Sequence, residues 1–345
     1  MQVTKHRVVA QEPDSYAGWP ANHGAWQRGD EFLVGFMRGK YGTGSFHDIT
    51  EPFEKMLARS IDGGNTWKLE TPNVDFECVE SIKVTNPPSF NPKYDIIRVC
   101  GRYDTGGEYC RQEGGFYLSR DFGVTWEGPF AFKGLEQVFG GSNHNTSRTR
   151  VVDGRIYLSA AKDMSWGSDW VFEASFHLET DTFYMKDIIC KDNHRAVMPD
   201  VVQLGDRRVC VMRRKGRGRN WIDCFASDKG GPWRQLPAMG VTDTGWWNGN
   251  PAALAEVNGR LVCVYGHRGV KAICAKASDD GGMTWLGPVI LRKSHDRDLG
   301  YPQLFKRSDG QLVCVYYISP SPGEPQCIMS TTFDPAKIEQ AEYED

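Results

Sequence analysis

The sequence has 345 residues, of which 40% are apolar and 25% are charged, with a formal net charge of −3 and a pI near 6.3. This composition is typical of a packed globular protein and excludes a disordered or collagen-like chain. The basic residues are scattered, apart from the short run Arg213–Arg219. A nearly neutral chain without a basic face gives no reason to expect a nucleic-acid partner.

The distribution of apolar residues and cysteines predicts the cellular compartment. No run of about 18 apolar residues is present, so no membrane insertion is expected. Residues 1–7 lack the apolar core of a signal peptide. Cys210, Cys263 and Cys314 lie within apolar runs, and no cysteine or histidine spacing indicates a metal site. We therefore expect no cofactor and a cytoplasmic protein, whereas a chain that had lost a leader would be secreted or periplasmic.

One turn motif recurs along the chain. Three full copies have the pattern Ser-x-Asp-x-Gly-x-Thr-Trp and one copy is shortened; in chain order they are Ser60–Trp67, Ser119–Trp126, the short Ser227–Trp233, and Ser278–Trp285. The Asp accepts hydrogen bonds from backbone amides of its own turn, and the Gly supplies a positive φ. The Trp packs against the turn as an apolar anchor. We interpret these Asp-boxes as structural closures of hairpins, without a catalytic role.

A second repeated element gives the period. Short polar turns between apolar runs predict six β-hairpins, at Gly29-Asp30, around Asn91-Pro92-Lys93, and at Asp153-Gly154, Gly205-Asp206, Asn258-Gly259 and Asp309-Gly310. The last four turns recur every 51 to 53 residues. No long segment with helical periodicity competes with the strands. The sequence therefore predicts an all-β fold, a single six-bladed β-propeller domain over residues 1–345.

The Asp-boxes and the six hairpins together resemble the sialidase (neuraminidase) superfamily over nearly the whole chain. The resemblance implies an active site where the innermost strands begin. It also implies an arginine triad for a substrate carboxylate, a tyrosine nucleophile with a glutamate partner, and an aspartate acid/base. The tyrosine nucleophile distinguishes this family from glycosidases that use two carboxylates.

The resemblance assigns several of these roles to residues of this chain. The tyrosine corresponds to Tyr301, which is followed by Pro302-Gln303-Leu304 and the turn at Asp309-Gly310. The third arginine corresponds to Arg268. The second arginine corresponds to Arg213 or Arg214.

Two positions differ from the family. The first arginine is expected in an Arg-Ile-Pro segment that opens the first blade, but this chain has Gly18-Trp19-Pro20 there. The glutamate position falls near Met198, and the nearest carboxylate is Asp200. Both differences bear on sialic acid, since a carboxylate clamp loses one donor and the tyrosine loses its activating base.

Comparison of the hairpins with one another adds further candidates. Arg38 ends an apolar strand of the first hairpin. When the hairpins are aligned on their apolar residues, Arg38 takes the position that Arg213 takes in its own hairpin. It therefore either replaces the missing arginine or forms an ion pair at the rim. Asp48 lies between the first hairpin and the first Asp-box and is either the acid/base or a turn cap. The starts of the innermost strands carry His23, His144 and Asn250. The two histidines are general bases or structural donors. Trp247 either stacks on a sugar ring or packs within a blade.

Three functions fit these residues. The favoured one is a sialidase-like exo-glycosidase, a hydrolase of a terminal acidic sugar such as sialic acid, with Tyr301 as nucleophile or cation stabiliser and Asp48 as acid. The second is a uronate-specific polysaccharide lyase, for example of the rhamnose–glucuronate type, in which His or Tyr removes a proton and Arg neutralises the carboxylate. The third is a propeller that binds glycans without catalysis. All three predict a glycan or oligosaccharide partner and leave the oligomeric state open.

Overall fold

The computed structural model describes residues 5–43, 47–76, 91, 94–100, 115–135, 138, 143–145, 150–152, 154–162, 169–177, 180, 182–192, 196–216, 219–239, 244 and 249–339. In these ranges the regular secondary structure is almost entirely β-strand, arranged as six separate antiparallel sheets. The predicted all-β, six-bladed β-propeller is confirmed. None of the helices in these ranges is long and apolar enough to span a membrane.

The first three blades follow the N-terminal strand β1 (Lys5–Ala10). Blade 1 contains β2 (Ser15–Gly18), the one-turn helix α1 (Pro20–His23), β3 (Ala25–Arg28), β4 (Glu31–Tyr41), β5 (Ile49–Ser60) and β6 (Lys68–Glu70). Blade 2 contains β7 (Ile96–Cys100), β8 (Gly115–Ser119) and β9 (Glu127–Ala131). Blade 3 contains β10 (Asn143–Asn145), β11 (Arg150–Val152), β12 (Arg155–Lys162), β13 (Asp169–His177) and β14 (Thr182–Asp192).

The last three blades are regular and four-stranded. Blade 4 contains β15 (Val197–Leu204), β16 (Arg207–Lys215), β17 (Asn220–Asp228) and β18 (Arg234–Gln235). Blade 5 contains β19 (Ala252–Val257), β20 (Arg260–His267), β21 (Ala272–Ser278) and β22 (Leu286–Lys293). Blade 6 contains β23 (Gly300–Lys306), β24 (Leu312–Ile318), β25 (Cys327–Phe333) and, outermost, β1; a 3₁₀ turn (Pro335–Lys337) follows β25.

The ring closes between the first and last blades. β1 pairs antiparallel with β25, so the two ends of the chain share one sheet. The described apolar side chains form six buried clusters, one at each interface between neighbouring blades. At the closing interface Phe32 of blade 1 stacks on Phe305 of blade 6, with ring centroids 4.7 Å apart. Each sheet therefore buries both faces, as continuous apolar strands such as β24, in which every residue is buried, require.

The predicted hairpin turns join the first and second strands of their blades. The pairs that close them include Arg28–Glu31, Leu204–Arg207 and Val257–Arg260. Near the predicted turn at 91–93, the amides of Tyr94 and Asp95 donate to the carbonyl of Asn91. The strand that would precede this turn lies outside the described residues.

The four Asp-boxes join the last two strands of blades 1, 2, 4 and 5. In the last copy the Asp280 carboxylate accepts hydrogen bonds from the hydroxyls of Ser278 (2.8 Å) and Thr284 (2.5 Å) and from the Thr284 amide (2.9 Å). The Trp285 indole donates to the carbonyl of Gly282. These contacts close the hairpins, as the sequence predicts.

Strand alternation separates the two ends of the propeller. The hairpin turns and the Asp-boxes lie together at one end, because both follow odd-numbered strands of a blade. The loops between second and third strands, and the connections between blades, lie at the opposite end. The innermost strands also begin there, so this end can bring together residues from several blades.

Asp280 provides a test of the Asp-box. Burial alone would raise its pKa, but the hydrogen bonds from Thr284, Ser278 and the Met283 amide lower it from 3.8 to about 2. The charged carboxylate therefore stabilises the fold above pH 3.8, and this contribution fades as the pH falls toward 2. We expect Asp280→Asn to lower the free energy of unfolding by roughly 1 kcal/mol at neutral pH, since the turn is largely solvated.

The measurement is urea unfolding of both proteins between neutral pH and pH 2. The matched control is Asp279→Asn, because that side chain is 62% exposed and pairs only at the surface with Arg260; it should have little effect. A loss in Asp280→Asn that does not change with pH would contradict the role of the charge.

Gly300, at the start of β23, lies close to a side chain that precedes β19. Its φ is +114°, and a Cβ there would lie 2.1 Å from Oδ1 of the buried Asn250. Gly310 also has a positive φ, +82°, but a Cβ there meets nothing within 4 Å. We expect Gly310→Ala to cost about 1 kcal/mol from backbone strain alone, and Gly300→Ala to cost about 1–3 kcal/mol more from the added clash. Equal losses in chemical denaturation would refute the close approach.

Candidate functional site

Three residues of blades 1, 4 and 6 share an unusual backbone conformation at corresponding positions. Trp19, Met198 and Tyr301 have φ values of 55°, 58° and 50°, and each precedes a proline. A left-handed conformation is rare for large side chains. In blades 4 and 6 the ladder shifts register at this point, as in a β-bulge, which redirects a side chain. All three side chains lie in one buried cluster, so blades 1, 4 and 6 converge here.

The second strand of each blade supplies the residue opposite this bulge. The residue before the left-handed position pairs with Arg213 in blade 4 and with Tyr317 in blade 6. In blade 1 the corresponding pair is Gly18–Met37. The predicted phase of Arg38 was therefore wrong by one residue, and in a strand a shift of one turns the side chain to the other face. Arg38 forms ion pairs with Glu12 and Glu54, which was the second of the two roles predicted for it.

Tyr301 and Arg213 contact each other directly. A guanidinium nitrogen of Arg213 lies 3.3 Å from the phenol oxygen of Tyr301 and donates to it. The same nitrogen lies 3.9 Å from the sulfur of Met198. Tyr301 is 7% exposed and Arg213 is 2% exposed. A charged donor thus reaches the hydroxyl that the sequence identified as the reactive group.

A carboxylate that the sequence analysis did not single out organises the adjacent residues. Asp298, in the connection between blades 5 and 6, accepts hydrogen bonds from the hydroxyls of Tyr16 (2.5 Å) and Tyr317 (2.6 Å). Nδ1 of His47 lies 2.8 Å from it, and Arg268 lies 3.7 Å away. We call these five residues the Asp298 cluster. They come from blades 1, 5 and 6.

The cluster fixes the charge of its members. Burial alone would raise the pKa of Asp298, but His47, Arg268 and the Tyr16 hydroxyl together hold it below its usual value, so the carboxylate is charged at neutral pH. Burial, reinforced by the charge of Asp298, raises the pKa of Tyr16 and Tyr317 well above the usual value. Both tyrosines therefore remain protonated and act as donors.

The Asp298 cluster is continuous with Tyr301. The Tyr317 and Tyr301 rings have centroids 6.0 Å apart, and Arg268 approaches the Tyr317 hydroxyl at 3.5 Å. Trp19 packs with its ring centroid 4.8 Å from that of His47 and 6.0 Å from that of Tyr317. The predicted residues Tyr301, Arg213 and Arg268 thus belong to one buried constellation at the end opposite the Asp-boxes.

Asn250 supports this constellation from behind. Its buried side-chain oxygen accepts a hydrogen bond from the Tyr301 amide at 3.1 Å. The bond holds the backbone of Tyr301 in its left-handed conformation. The structure therefore gives Asn250 a positioning contact next to the predicted substrate-binding residues.

Arg214 points away from Arg213. The two are consecutive in β16, so their side chains lie on opposite faces. Arg214 lies 3.4 Å from Asp223 and contacts the sulfur of Cys190. Of the two arginines left open by the sequence, Arg213 is the one that reaches Tyr301.

Two predicted catalytic residues have contacts that join blades. His23 lies in α1 and not in a strand; Nδ1 is 2.8 Å from Arg98 of blade 2. Burial, reinforced by Arg98, lowers the pKa of His23 well below its usual value. Asp200 is buried, forms an ion pair with Arg150, and accepts a hydrogen bond from the Leu254 amide at 2.9 Å. These contacts link blades 3, 4 and 5 through Asp200.

The remaining candidates lie at or beyond the edge of the described site. Asp48 is exposed, and its carbonyl accepts a hydrogen bond from the Gly42 amide, while the neighbouring His47 enters the cluster. His144 lies in β10 and pairs with Ala161, but its side chain is outside the described part of the structure. Trp247 is also outside the described residues.

Some of the missed residues left a signal in the sequence. Arg213 follows Cys210 by three positions, and Tyr317 follows the equivalent Cys314 by three positions. Alignment of the two hairpins on these cysteines therefore places Tyr317 at the position of Arg213. His47 directly precedes Asp48, the predicted acid/base residue. Asp298 and Tyr16 show no local pattern, since they meet only through ring closure.

Comparison with known proteins agrees with this architecture. Residues 83–314 match the family described as BNR repeat-like domain. No curated protein matches the sequence. A protein of unknown function from Dyadobacter fermentans has a similar structure, with TM-score 0.71 and 18% identity, and the match covers 96% of this chain and 98% of that one.

Two sialidase-type structures are also similar. A Hadza microbial sialidase matches with TM-score 0.64 and 17% identity, over 94% of this chain and 66% of that one. The intramolecular trans-sialidase from Ruminococcus gnavus, solved with oseltamivir carboxylate, matches with TM-score 0.56 and 11% identity, over 98% and 96%. At these identities the structural similarities show a shared fold. The family match covers most of the sequence, and the chain belongs to the BNR repeat-like domain family.

Proposed function

We propose that the protein is a glycosidase-type enzyme that hydrolyses the bond to a terminal acidic sugar, sialic acid or a related one, in a glycan. The observation that carries the proposal is the contact between Arg213 and Tyr301, 3.3 Å long, beside Arg268 and the Asp298 cluster. It combines a cation, a nucleophilic hydroxyl and an oriented acid/base pair at the meeting point of four blades.

The arginines suit a carboxylate ligand. A guanidinium presents donors in a planar fork that matches a carboxylate, and it keeps its charge when buried. Arg268 is 6% exposed, and although burial opposes its charge, Tyr317 and Asp298 raise its pKa further. A permanent positive charge in a poorly solvated place favours an anionic substrate.

Tyr301 suits attack on, or stabilisation of, the sugar carbon that carries positive charge in the transition state. Because Arg213 donates into its oxygen, the hydroxyl proton of Tyr301 must point to another acceptor. Met198 occupies the position where the resemblance implies a glutamate, so activation of Tyr301 differs from the family. The loop that carries His47 and Asp48 supplies the acid.

The similar structures support a glycan as substrate. The Hadza and Ruminococcus gnavus proteins are a sialidase and an intramolecular trans-sialidase, and the second was solved with oseltamivir carboxylate. Their similarity to this chain concerns the fold. The carboxylate preference and the chemistry proposed for this chain come from its own residues.

A uronate lyase is the second candidate, and the pair His47–Asp298 favours it. A carboxylate 2.8 Å from an imidazole nitrogen orients the ring as a general base. Such a base can remove the proton beside a uronate carboxylate while an arginine neutralises the charge. A propeller that binds glycans without catalysis would bind the glycan but release neither a free sugar nor an unsaturated product.

The first test is a panel of terminal acidic glycans, read for free sugar and for the ultraviolet absorbance of an unsaturated product. Free sugar alone supports the hydrolase, and absorbance supports the lyase. We expect Tyr301→Phe to lower kcat by about 10²-fold or more, since the hydroxyl takes part in the bond-breaking step. Tyr94→Phe is the matched control, because Tyr94 is 66% exposed. If the wild-type protein binds the glycan but forms neither product, the enzymatic proposal is contradicted.

The carboxylate preference has its own test. Acidic sugars and their reduced, neutral analogues are compared in the wild type and in Arg213→Lys. We expect the wild type to prefer the acidic sugar and the variant to lose about tenfold or more of this preference, since lysine cannot form the bidentate contact. Arg234→Lys is the control, because that side chain is 53% exposed and pairs with Asp228 at the surface. An unchanged preference in Arg213→Lys would show that Arg213 does not bind the carboxylate.

A further inference from the structure

The loop between β4 and β5 delivers a histidine to the site. Nδ1 of His47 lies 2.8 Å from Oδ2 of Asp298, and each of the two side chains is 16% exposed. The edge of Trp19 packs against the imidazole with centroids 4.8 Å apart and the ring planes at 76°. A carboxylate and an indole therefore fix the orientation of the ring. Because the two ring nitrogens lie on opposite edges, Nε2 faces away from Asp298.

Asp298 is itself committed to protein donors. It accepts from Tyr16, Tyr317 and His47, and Arg268 lies 3.7 Å away. An ionised carboxylate has about four acceptor positions, so these contacts occupy most of them. Asp298 is therefore suited to orient a neighbour and unsuited to receive a proton from substrate.

Asp48 differs in both respects. Its side chain is exposed, whereas His47 is enclosed by Trp19 and Asp298. Proton transfer needs a group fixed within hydrogen-bond reach of the reacting atoms. Of the two consecutive residues, His47 is the one that contacts Asp298, which also binds Tyr317 and lies near Arg268. The Tyr317 ring in turn packs against Tyr301.

We propose that His47, held by Asp298, transfers the proton in the reaction, and that Asp298 is its positioning residue. This inference rests on the proposed function. The charged and titratable groups that face the pair are Tyr16 from β2, Arg268 from the loop after β20, and Tyr317 from β24. The Tyr301 hydroxyl and Arg213 form the opposite side of the constellation.

The proton balance is simple. The protonated imidazole gives its Nε2 proton to the glycosidic oxygen as the bond from that oxygen to the sugar carbon breaks, and the bonding pair stays on the oxygen. Water then adds to the sugar carbon, and its lost proton returns to Nε2. In elimination the neutral imidazole instead takes the proton beside the carboxylate; the freed pair forms the new double bond, and the leaving oxygen departs with its own bonding pair and takes a proton from water.

The test compares His47→Gln with His295→Gln. His295 is exposed and lies three residues before Asp298, and the described contacts of His295 use its backbone. Each variant is assayed on an aryl glycoside with an acidic leaving phenol and on an alkyl glycoside. An acidic phenol departs without protonation, whereas an alkoxide needs it.

We expect His47→Gln to lose about 10²-fold or more in kcat on the alkyl glycoside and much less on the aryl glycoside. It should also lose one limb of the pH profile. His295→Gln should match the wild type on both substrates. Asp298→Asn, the positioning variant, should shift that limb and lower kcat more than it raises KM, and circular dichroism checks that each variant is folded.

Three outcomes overturn the proposal, and they are distinguishable. Equal losses of His47→Gln on both leaving groups with an unchanged pH profile would make His47 structural. Loss of the pH limb in Asp48→Asn but not in His47→Gln would return the role to Asp48. If the wild-type protein releases neither free sugar nor unsaturated product, the proposed function itself fails and this inference fails with it.

Discussion

Each sheet of this protein is apolar on both faces, and the rest of the structure depends on covering both. A blade can satisfy this only by packing between two neighbours, so the row of blades must close into a ring. Six buried clusters, one per interface, show that closure in the described residues. Closure brings the innermost strands together at the axis, and it alone makes Tyr16, Arg213 and Tyr301 neighbours.

Local sequence was sufficient for the fold and for part of the site. The Asp-boxes and hairpin turns are short-range hydrogen-bonded motifs, so Asp280 and its turn can be recognised without tertiary information. Tyr301 and the pair Arg213 and Arg214 could be predicted because the resemblance to sialidases places them relative to hairpin turns, Tyr301 before the turn at Asp309-Gly310 and the arginines after the turn at Gly205-Asp206. Arg38 failed because the helix α1 interrupts the first blade, and counting from an apolar run rather than from the turn misplaced the register by one.

The sequence did not predict that the residues of the Asp298 cluster would meet, and the reason is physical. The contacts of Tyr16 and His47 with Asp298 join residues more than 250 positions apart, and they exist only once the ring is closed. Tyr16, His47 and Asp298 belong to no repeated motif. The result is a site whose charge balance depends on three blades at once, so that disturbance of the closing interface reaches the chemistry.

The position of β1 has a consequence for biosynthesis. Of the described strands, β1 is made first, and it pairs with β25, which is made last. Until then, β1 carries unpaired backbone groups of the kind that invite pairing with other chains, while the other blades can begin to fold. Contacts of such large sequence separation also slow folding. The nascent chain is therefore most vulnerable to aggregation through β1 until β25 emerges, and chaperone capture would matter most at that stage.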